Sequence, residues 1–277
     1  MRDDPLMERI LSSGEIRIGF QRHTPPFSYA AANAPWPSGY CVALASEAMD
    51  VLACSLGVPL RIHPVEVTST TRTGMLLQGE IDIECGSTTI TAERQRRVAF
   101  SRPIFHTAHR VALKAGRSLH DAHPIHVTGI GESTSHRALL DASRTFAPTR
   151  VMRFAGRPSI GEAFDAFLHD DDIDAIVADE VILAGLLSGA GASGVTMVEP
   201  RIGGEYYGFM MRLCDTAFQQ AIDRALSAVM DAPGFVQSYA SWFERPLAGL
   251  GFSLGLNFRL QRKHLIQPAD ASAPGTL

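Results

Sequence analysis

Ile16, Ile18 and Phe20 alternate with polar or small neighbours, the period of two that marks a half-buried strand. After Gly39 and Tyr40 the period changes. Leu44, Ala48, Leu52 and Leu56 fall on one face of a helix that Gly57 and Pro59 end. Leu60 and Ile62 open a second strand, a short helix around Gly74 to Gln78 stops at Gly79, and Ile81, Ile83 and Cys85 form a third strand. The alternation then restarts. Ile125 and Val127 predict a strand, Ser135 to Leu140 a helix, Val151 to Phe154 a strand, and Ser159 with Glu162 the capping box of a further helix. Strand Ile173 to Ala178 and helix Val181 to Leu187 follow, and then a loop marked by Gly189, Gly191 and Gly194. The pattern closes with a strand from Tyr207 to Met211 and an amphipathic helix from Ala217 to Met230, its inward face carrying Phe218, Ile222, Leu226 and Val229.

Strand-helix alternation of this kind argues for an α/β fold in which each sheet is mainly parallel and flanked by helices. Two such units are visible, while the C-terminal helices have no sheet of their own. The simplest packing returns the chain to the first unit, giving lobe I from 1–110 plus 208–277 and lobe II from 111–207, with two crossings between them. The length of 277 residues, 45% of them hydrophobic, is enough for two cores. The tail after Ala269 is rich in Ala, Ser and Pro and is expected to fray.

A net charge of −4 offers no electrostatic footprint for nucleic acid or for an anionic membrane surface. No apolar run approaches the roughly 18 to 20 residues of a membrane span. The start, Met1-Arg2-Asp3-Asp4-Pro5, lacks the apolar stretch of a secretory signal, which fits a mature or trimmed chain, or a cytosolic one. Cys41, Cys54, Cys85 and Cys214 form no CxxC pair, so a zinc or thioredoxin-like site is not indicated. Cys41 and Cys54 bracket a helix that sets them roughly 20 Å apart, so a bridge would have to involve Cys85 or Cys214, and inert buried thiols are at least as consistent with the pattern.

In a doubly wound sheet, ligands sit beyond the carboxyl ends of the strands. Three loops in that position are informative. In Cys85-Gly86-Ser87-Thr88-Thr89-Ile90-Thr91-Ala92-Glu93-Arg94, small hydroxyl residues precede an arginine, a set that suits a carboxylate and also fits an ordinary capping loop. Thr128-Gly129-Ile130-Gly131-Glu132-Ser133-Thr134-Ser135 joins a strand to a helix, where free N–H groups favour an anion; Thr134 replaces the third glycine of a dinucleotide fingerprint. Asp179-Glu180 ends an apolar strand, where a carboxylate holds an ammonium group or caps a helix. No Gly-x-Ser-x-Gly elbow, Walker loop or His-Glu-x-x-His occurs. His120, His123 and His126, with Asp121 among them, read as a solvated loop because Pro124 prevents a helix from aligning them. Tyr206, Tyr207, Tyr239 and Trp242 read as packing, and Trp36, between two prolines, as a surface turn.

A longer set of motifs carries a family likeness. Arg22-His23, Pro26-Phe27-Ser28-Tyr29, Gly39-Tyr40, Thr68-Ser69-Thr70-Thr71-Arg72 and Leu76-Leu77-Gln78-Gly79 come first. Asp82-Ile83-Glu84-Cys85-Gly86-Ser87-Thr88-Thr89, Glu93-Arg94-Gln95, Ala99-Phe100-Ser101 and Ile104-Phe105 follow, then Ser133-Thr134-Ser135, Leu183-Ala184-Gly185, Tyr207-Gly208 and Leu256-Asn257-Phe258. The chain resembles the periplasmic solute-binding proteins of polar amino-acid ABC transporters, family 3, and is most similar to their glutamate/aspartate-binding branch.

The resemblance implies a two-lobed, hinged periplasmic-binding-protein fold of type II that closes on a ligand in the interlobe cleft. By position, it implies that Ser87, Thr89 and Arg94 hold the ligand's α-carboxylate with help from Ser133, and that Asp179 takes the α-ammonium. Arg22, Ser69 and Arg72 occupy places that face the ligand's side-chain carboxylate in that branch. Where the branch carries a histidine just before Gly161, this chain has Ile160. The implied protein is a periplasmic monomer without cofactor or metal, whose partners are an amino acid and a membrane permease. Two other readings of the same fold are a cyclohexadienyl-dehydratase-like enzyme, with Glu132 and Glu180 as its only evident acid or base groups, and the sensing domain of a receptor.

Overall fold

The computed structural model describes residues 4–30, 34–118, 124–146, 152–198 and 201–245, together with Arg259, Gln261, Arg262 and Leu265. His120, Asp121, His123, the Leu256-Asn257-Phe258 motif and the tail after Ala269 lie outside the described residues.

The chain opens with α1 (Pro5–Ser13), an element not anticipated from the apolar pattern. Its start is set by Asp4, whose Oδ1 accepts from the backbone N–H groups of Leu6 and Met7, with Pro5 in the first turn where no N–H is needed. Gly14, at φ 66°, ends it. Then come β1 (Glu15–Phe20), the hairpin β2 (His23–Thr24) and β3 (Ser28–Tyr29), α2 (Tyr40–Leu56), β4 (Arg61–Glu66), α3 (Arg72–Leu77), β5 (Ile83–Glu84), α4 (Ala92–Gln95) and β6 (Val98–Phe100). The middle of the chain forms β7 (Phe105–Leu113), β8 (Ile125–Ile130), α5 (Thr134–Phe146), β9 (Met152–Arg157), α6 (Ile160–His169), β10 (Ala175–Asp179), α7 (Glu180–Gly189), β11 (Thr196–Met197) and β12 (Ile202–Tyr207). It ends with β13 (Met210–Arg212), α8 (Thr216–Asp231) and α9 (Phe235–Phe243).

Two main sheets result. The first has the order β4-β1-β5-β13-β6, and the second β11-β7-β10-β8-β9 with β12 also paired to β7. The alternation of strands and helices gives the parallel pairs β1–β4, β1–β5, β8–β9 and β8–β10. Each sheet is completed by antiparallel strands. In the first sheet β13 runs antiparallel to β5 and β6; in the second β7 runs antiparallel to β10, β11 and β12. The single strand expected from Tyr207 to Met211 is two, because β12 ends on the second sheet at Tyr207 and β13 begins on the first at Met210.

Ile16, Ile18 and Phe20 point into the first core, and α8 lays Phe218, Ile222, Leu226 and Val229 against α2. Between the sheets, Phe27, Tyr40, Phe105, Tyr207, Tyr239 and Phe243 form one buried aromatic cluster, with Phe27 4.9 Å from Phe105 and 5.1 Å from Tyr207. Edge-to-face contacts of this kind add to the apolar burial of each ring. The Tyr40 hydroxyl donates to the Ile104 carbonyl at 2.8 Å, tying α2 to the segment that leads into β7. Trp36 lies at an exposed bend.

All four cysteines are free thiols. Cys41 and Cys85 are buried, which pushes both thiols well up and leaves them unreactive at neutral pH. No described helix is long and apolar enough to cross a membrane.

Candidate functional site

The loops that leave the carboxyl ends of β1, β4 and β5 face those that leave β8 and β10, and a cavity of about 100 Å³ lies between them. Ser69, Arg72, Ser87, Thr89 and Arg94 line it from the first set, and Ser133 and Asp179 from the second. Ile130, Ile160, Val177, Ala178 and Ile182 supply an apolar wall. Close approach of the hairpin to the second lobe depends on two glycines. A Cβ at Gly185 in α7 would meet the Pro25 carbonyl oxygen at 2.6 Å, and one at Gly161 in α6 would crowd the His23 ring at 3.2 Å.

Arg22 is not brought to this cavity. Its Nε donates to Glu66 Oε2 at 2.8 Å and its Nη2 to the Ala34 carbonyl at 3.2 Å. It borders a separate depression of about 50 Å³ formed with Phe20, Pro35, Pro37, Pro64, Val65 and Glu66. Arg72, by contrast, is buried at the cavity floor, and its Nη1 donates to the Thr88 hydroxyl. That hydroxyl donates to Glu84 Oε2 at 2.6 Å, and Arg72 Nη1 lies 3.6 Å from Glu84 Oε1. Glu84 is fully buried, so the Arg72 cation has an internal counter-ion. Next to it, Ser69 Oγ donates to Gln21 Oε1 at 3.2 Å.

Arg94 is placed by α4. Thr91 Oγ1 caps that helix by accepting from the Arg94 backbone N–H at 3.1 Å, and Arg94 Nη1 donates to the Thr89 carbonyl at 2.8 Å. Burial, and then the neighbouring Arg72, lower the guanidinium pKa to about 10, so it stays cationic at neutral pH. Across the cavity, Ser133 Oγ donates to the Ile130 carbonyl at 2.8 Å and accepts from the His136 N–H at 3.1 Å, which fixes the turn into α5. The residue before it, Glu132, has φ 55°, the left-handed region that a glutamate rarely adopts, and lines the cavity. An adjoining cavity of about 160 Å³ shares Arg94, Glu132 and Thr134 with the first.

Asp179 stands at the N-cap position of α7, yet its side chain makes no capping hydrogen bond. It accepts from the Tyr207 hydroxyl at 2.5 Å and lies 2.8 Å from His109 Nδ1. His109 also reaches Glu205, Nε2 to Oε1, at 2.8 Å. Glu205 Oε2 in turn accepts from Thr89 at 2.7 Å and Thr134 at 3.1 Å, joining a loop of the first sheet to a strand of the second. Glu84, His109 and Glu205 were missed by sequence reasoning. The available signal was a histidine inside the buried run Phe105 to Leu113, a position that demands a polar partner.

His109, Asp179 and Glu205 offer three ligand atoms within 4.8 Å of one another. The imidazole, however, turns opposite nitrogens to the two carboxylates, the geometry of an ion triad bridged by the ring rather than of a chelate. Taken together, the cavity offers a guanidinium and hydroxyls on one side and a buried carboxylate on the other, complementary to a zwitterion.

Comparisons with known proteins give the family and the fold. The L-glutamate/L-aspartate-binding protein of Pseudomonas aeruginosa is 29% identical over 96% of this chain and 89% of its own length. The glutamate/aspartate import solute-binding protein of Escherichia coli is 27% identical over 92% of this chain and 84% of its own. Among solved structures, an ABC uptake transporter substrate-binding protein from Streptococcus pneumoniae with bound histidine aligns with a TM-score of 0.74 at 20% identity. That alignment covers 88% of this chain and 98% of the other. A mutant of ArgBP from T. maritima aligns with a TM-score of 0.71 at 23% identity, over 86% and 99% of the two chains. These likenesses show the two-lobed fold, and the named relatives are binding proteins rather than enzymes. Residues 16–245 match the family model of the bacterial extracellular solute-binding proteins, family 3, and the chain belongs to that family.

Proposed function

We propose that this protein captures an amino acid with an acidic side chain, outside the cytoplasm, and presents it to the permease of an ABC transporter. The observation that carries the reading is the convergence, on one cavity, of Arg94, Ser87 and Thr89 from one lobe with Asp179 and Ser133 from the other. Arg94, Ser87 and Thr89, with Ser133 across the cavity, suit an α-carboxylate and Asp179 suits an α-ammonium, so an amino acid is held fully only when the lobes meet. Ser69 and Arg72 then lie at the side-chain end, and the relatives named for glutamate and aspartate support an acid there. Of the two acid or base groups of the enzyme reading, Glu132 lines the cavity, whereas Glu180 is 2.8 Å from Arg201 Nε outside it.

With Arg22 engaged by Glu66, Arg72 is the guanidinium expected to meet the ligand's second carboxylate. Because Glu84 already offsets its charge, the preference for an acid over its amide is modest: about tenfold, or roughly 1.4 kcal/mol. A thermal-shift screen of the twenty amino acids, followed by competition calorimetry, tests this. Glutamate or aspartate should bind about tenfold more tightly than glutamine or asparagine, and Arg72→Met should erase the difference. Equal affinity for acids and amides removes the acidic assignment. Absence of any amino-acid binding removes the whole reading.

A further inference from the structure

His109 sits in the middle of β7 and is 1% exposed. Each of its ring nitrogens faces a different carboxylate oxygen, Nδ1 that of Asp179 and Nε2 that of Glu205, both at 2.8 Å. A neutral imidazole carries one proton, so one nitrogen would turn a lone pair toward a carboxylate lone pair. Only the imidazolium avoids that repulsion; the aligned hydrogen bond at Nδ1 is to Ser135 Oγ, and Asp179 Oδ1 beside it has no hydrogen-bond partner of its own among the described residues. Burial pulls this group's pKa down, but the adjacent carboxylates of Asp179 and Glu205 prevail and raise it to about 10.

The surrounding groups fix the charge count. From α5, Ser135 Oγ lies 3.0 Å from Nδ1. From β12, the Tyr207 hydroxyl donates to Asp179; Thr89 and Thr134 donate to Glu205. Arg110, the next residue of β7, is engaged elsewhere, 3.9 Å from Glu180 and bonded to the Met197 carbonyl. Arg94, the other cation that acts on Glu205, belongs to the carboxylate end of the cavity. The triad thus holds one positive and two negative charges, and one unit of negative charge is left at the cavity wall.

We infer that His109 is a positioning residue for ammonium recognition: it neutralises one of two buried carboxylates, fixes Asp179 toward the cavity, and leaves a single negative charge for the ligand's ammonium. The inference rests on the amino-acid reading above. It accounts for two carboxylates behind one cavity that binds one cation. Without the imidazolium, two carboxylates with oxygens within 4.8 Å of each other repel in a buried site, and one of them is driven to take up a proton.

Calorimetry on the full chain tests it, using L-glutamate, or the amino acid that the screen returns, and its 2-hydroxy analogue. In the wild type, the binding enthalpy should be the same in phosphate and in Tris at pH 7, because no proton is exchanged. In His109→Gln, ammonium binding should expel the proton taken up by one of the two carboxylates. The enthalpy then depends on the buffer, close to one proton is released, and the affinity falls at least tenfold at pH 6 but less at pH 8. A His109→Gln protein with wild-type affinity and buffer-independent enthalpy overturns the inference. Glu205→Gln gives an arm that does not rely on His109→Gln folding: it removes the spare charge, so the amino acid should lose at least tenfold and the 2-hydroxy analogue less than threefold. Equal losses overturn the inference while leaving the amino-acid reading intact. A wild type that binds no amino acid overturns both.

Discussion

At the scale of single residues, the site depends on charges removed from water. Arg94 is half-buried, bonded through Nη1 to the Thr89 carbonyl, and lines the cavity. Arg94→Ala is expected to abolish amino-acid binding, at a cost of roughly 3 to 5 kcal/mol, because it strands a carboxylate in a closed, water-poor cleft. Wild-type affinity by calorimetry would remove Arg94 from the site. The hydroxyl and arginine motif that led to this residue was legible because it follows a strand in a known register. The fate of Arg22 was not. Its place after β1 is fixed by sequence, but the direction of its long side chain is decided by Glu66 at the end of β4, which pairs with Phe20 in the parallel register. His109 and Glu205 escaped for a related reason: each belongs to an antiparallel strand whose partner lies far away in sequence, so neither forms a local motif.

At the scale of elements, most helices announced themselves through periodicity and caps. Ser159 Oγ accepts from the Glu162 N–H, the N-cap half of the capping box expected from the sequence, and its hydroxyl donates to Glu162 Oε1. Helix α1 did not, although Asp4-Pro5 is a start signal, because only Leu6 and Ile10 carry its buried face. Asp4 links two elements in the structure. Its Oδ1 caps α1, and its Oδ2 accepts from the backbone N–H groups of Ala217 and Phe218 at the start of α8, at 3.1 and 3.2 Å. Asp4→Ala removes both caps and is expected to cost about 1 to 3 kcal/mol, against about 1 kcal/mol for Ser159→Ala on α6 alone. Urea titration of the two variants gives the comparison. A larger loss for Ser159→Ala would mean that the start of α8 finds other acceptors without Asp4.

At the scale of the whole molecule, the two passages between sheets run side by side. The Ser101 N–H donates to the Phe209 carbonyl at 2.8 Å, and the Phe209 N–H returns to Ser101 Oγ at 2.9 Å. A paired strap of this kind bends as one unit, which suits opening and closing about the cavity. Closure is already expressed in contacts that cross it, Thr89 to Glu205 and Arg137 to Glu93.

The position of β13 between β5 and β6 also governs the order in which the molecule can be assembled. The second sheet draws on one unbroken stretch, from Phe105 to Tyr207, and is complete once that stretch exists. The first sheet has no direct pairing of β5 with β6, and until Met210 to Arg212 arrive its edge strand has nothing to join. Bringing β13 home also closes a loop that spans the whole second sheet, and the entropy of that closure is lost before any pairing offsets it. Pulse-labelled refolding should therefore protect the amides of β8 and β10 before those of β5 and β6. The opposite order would mean that the first sheet nucleates across its gap. A chain growing from its N-terminus thus leaves its first-made sheet unfinished until the whole of the second has emerged.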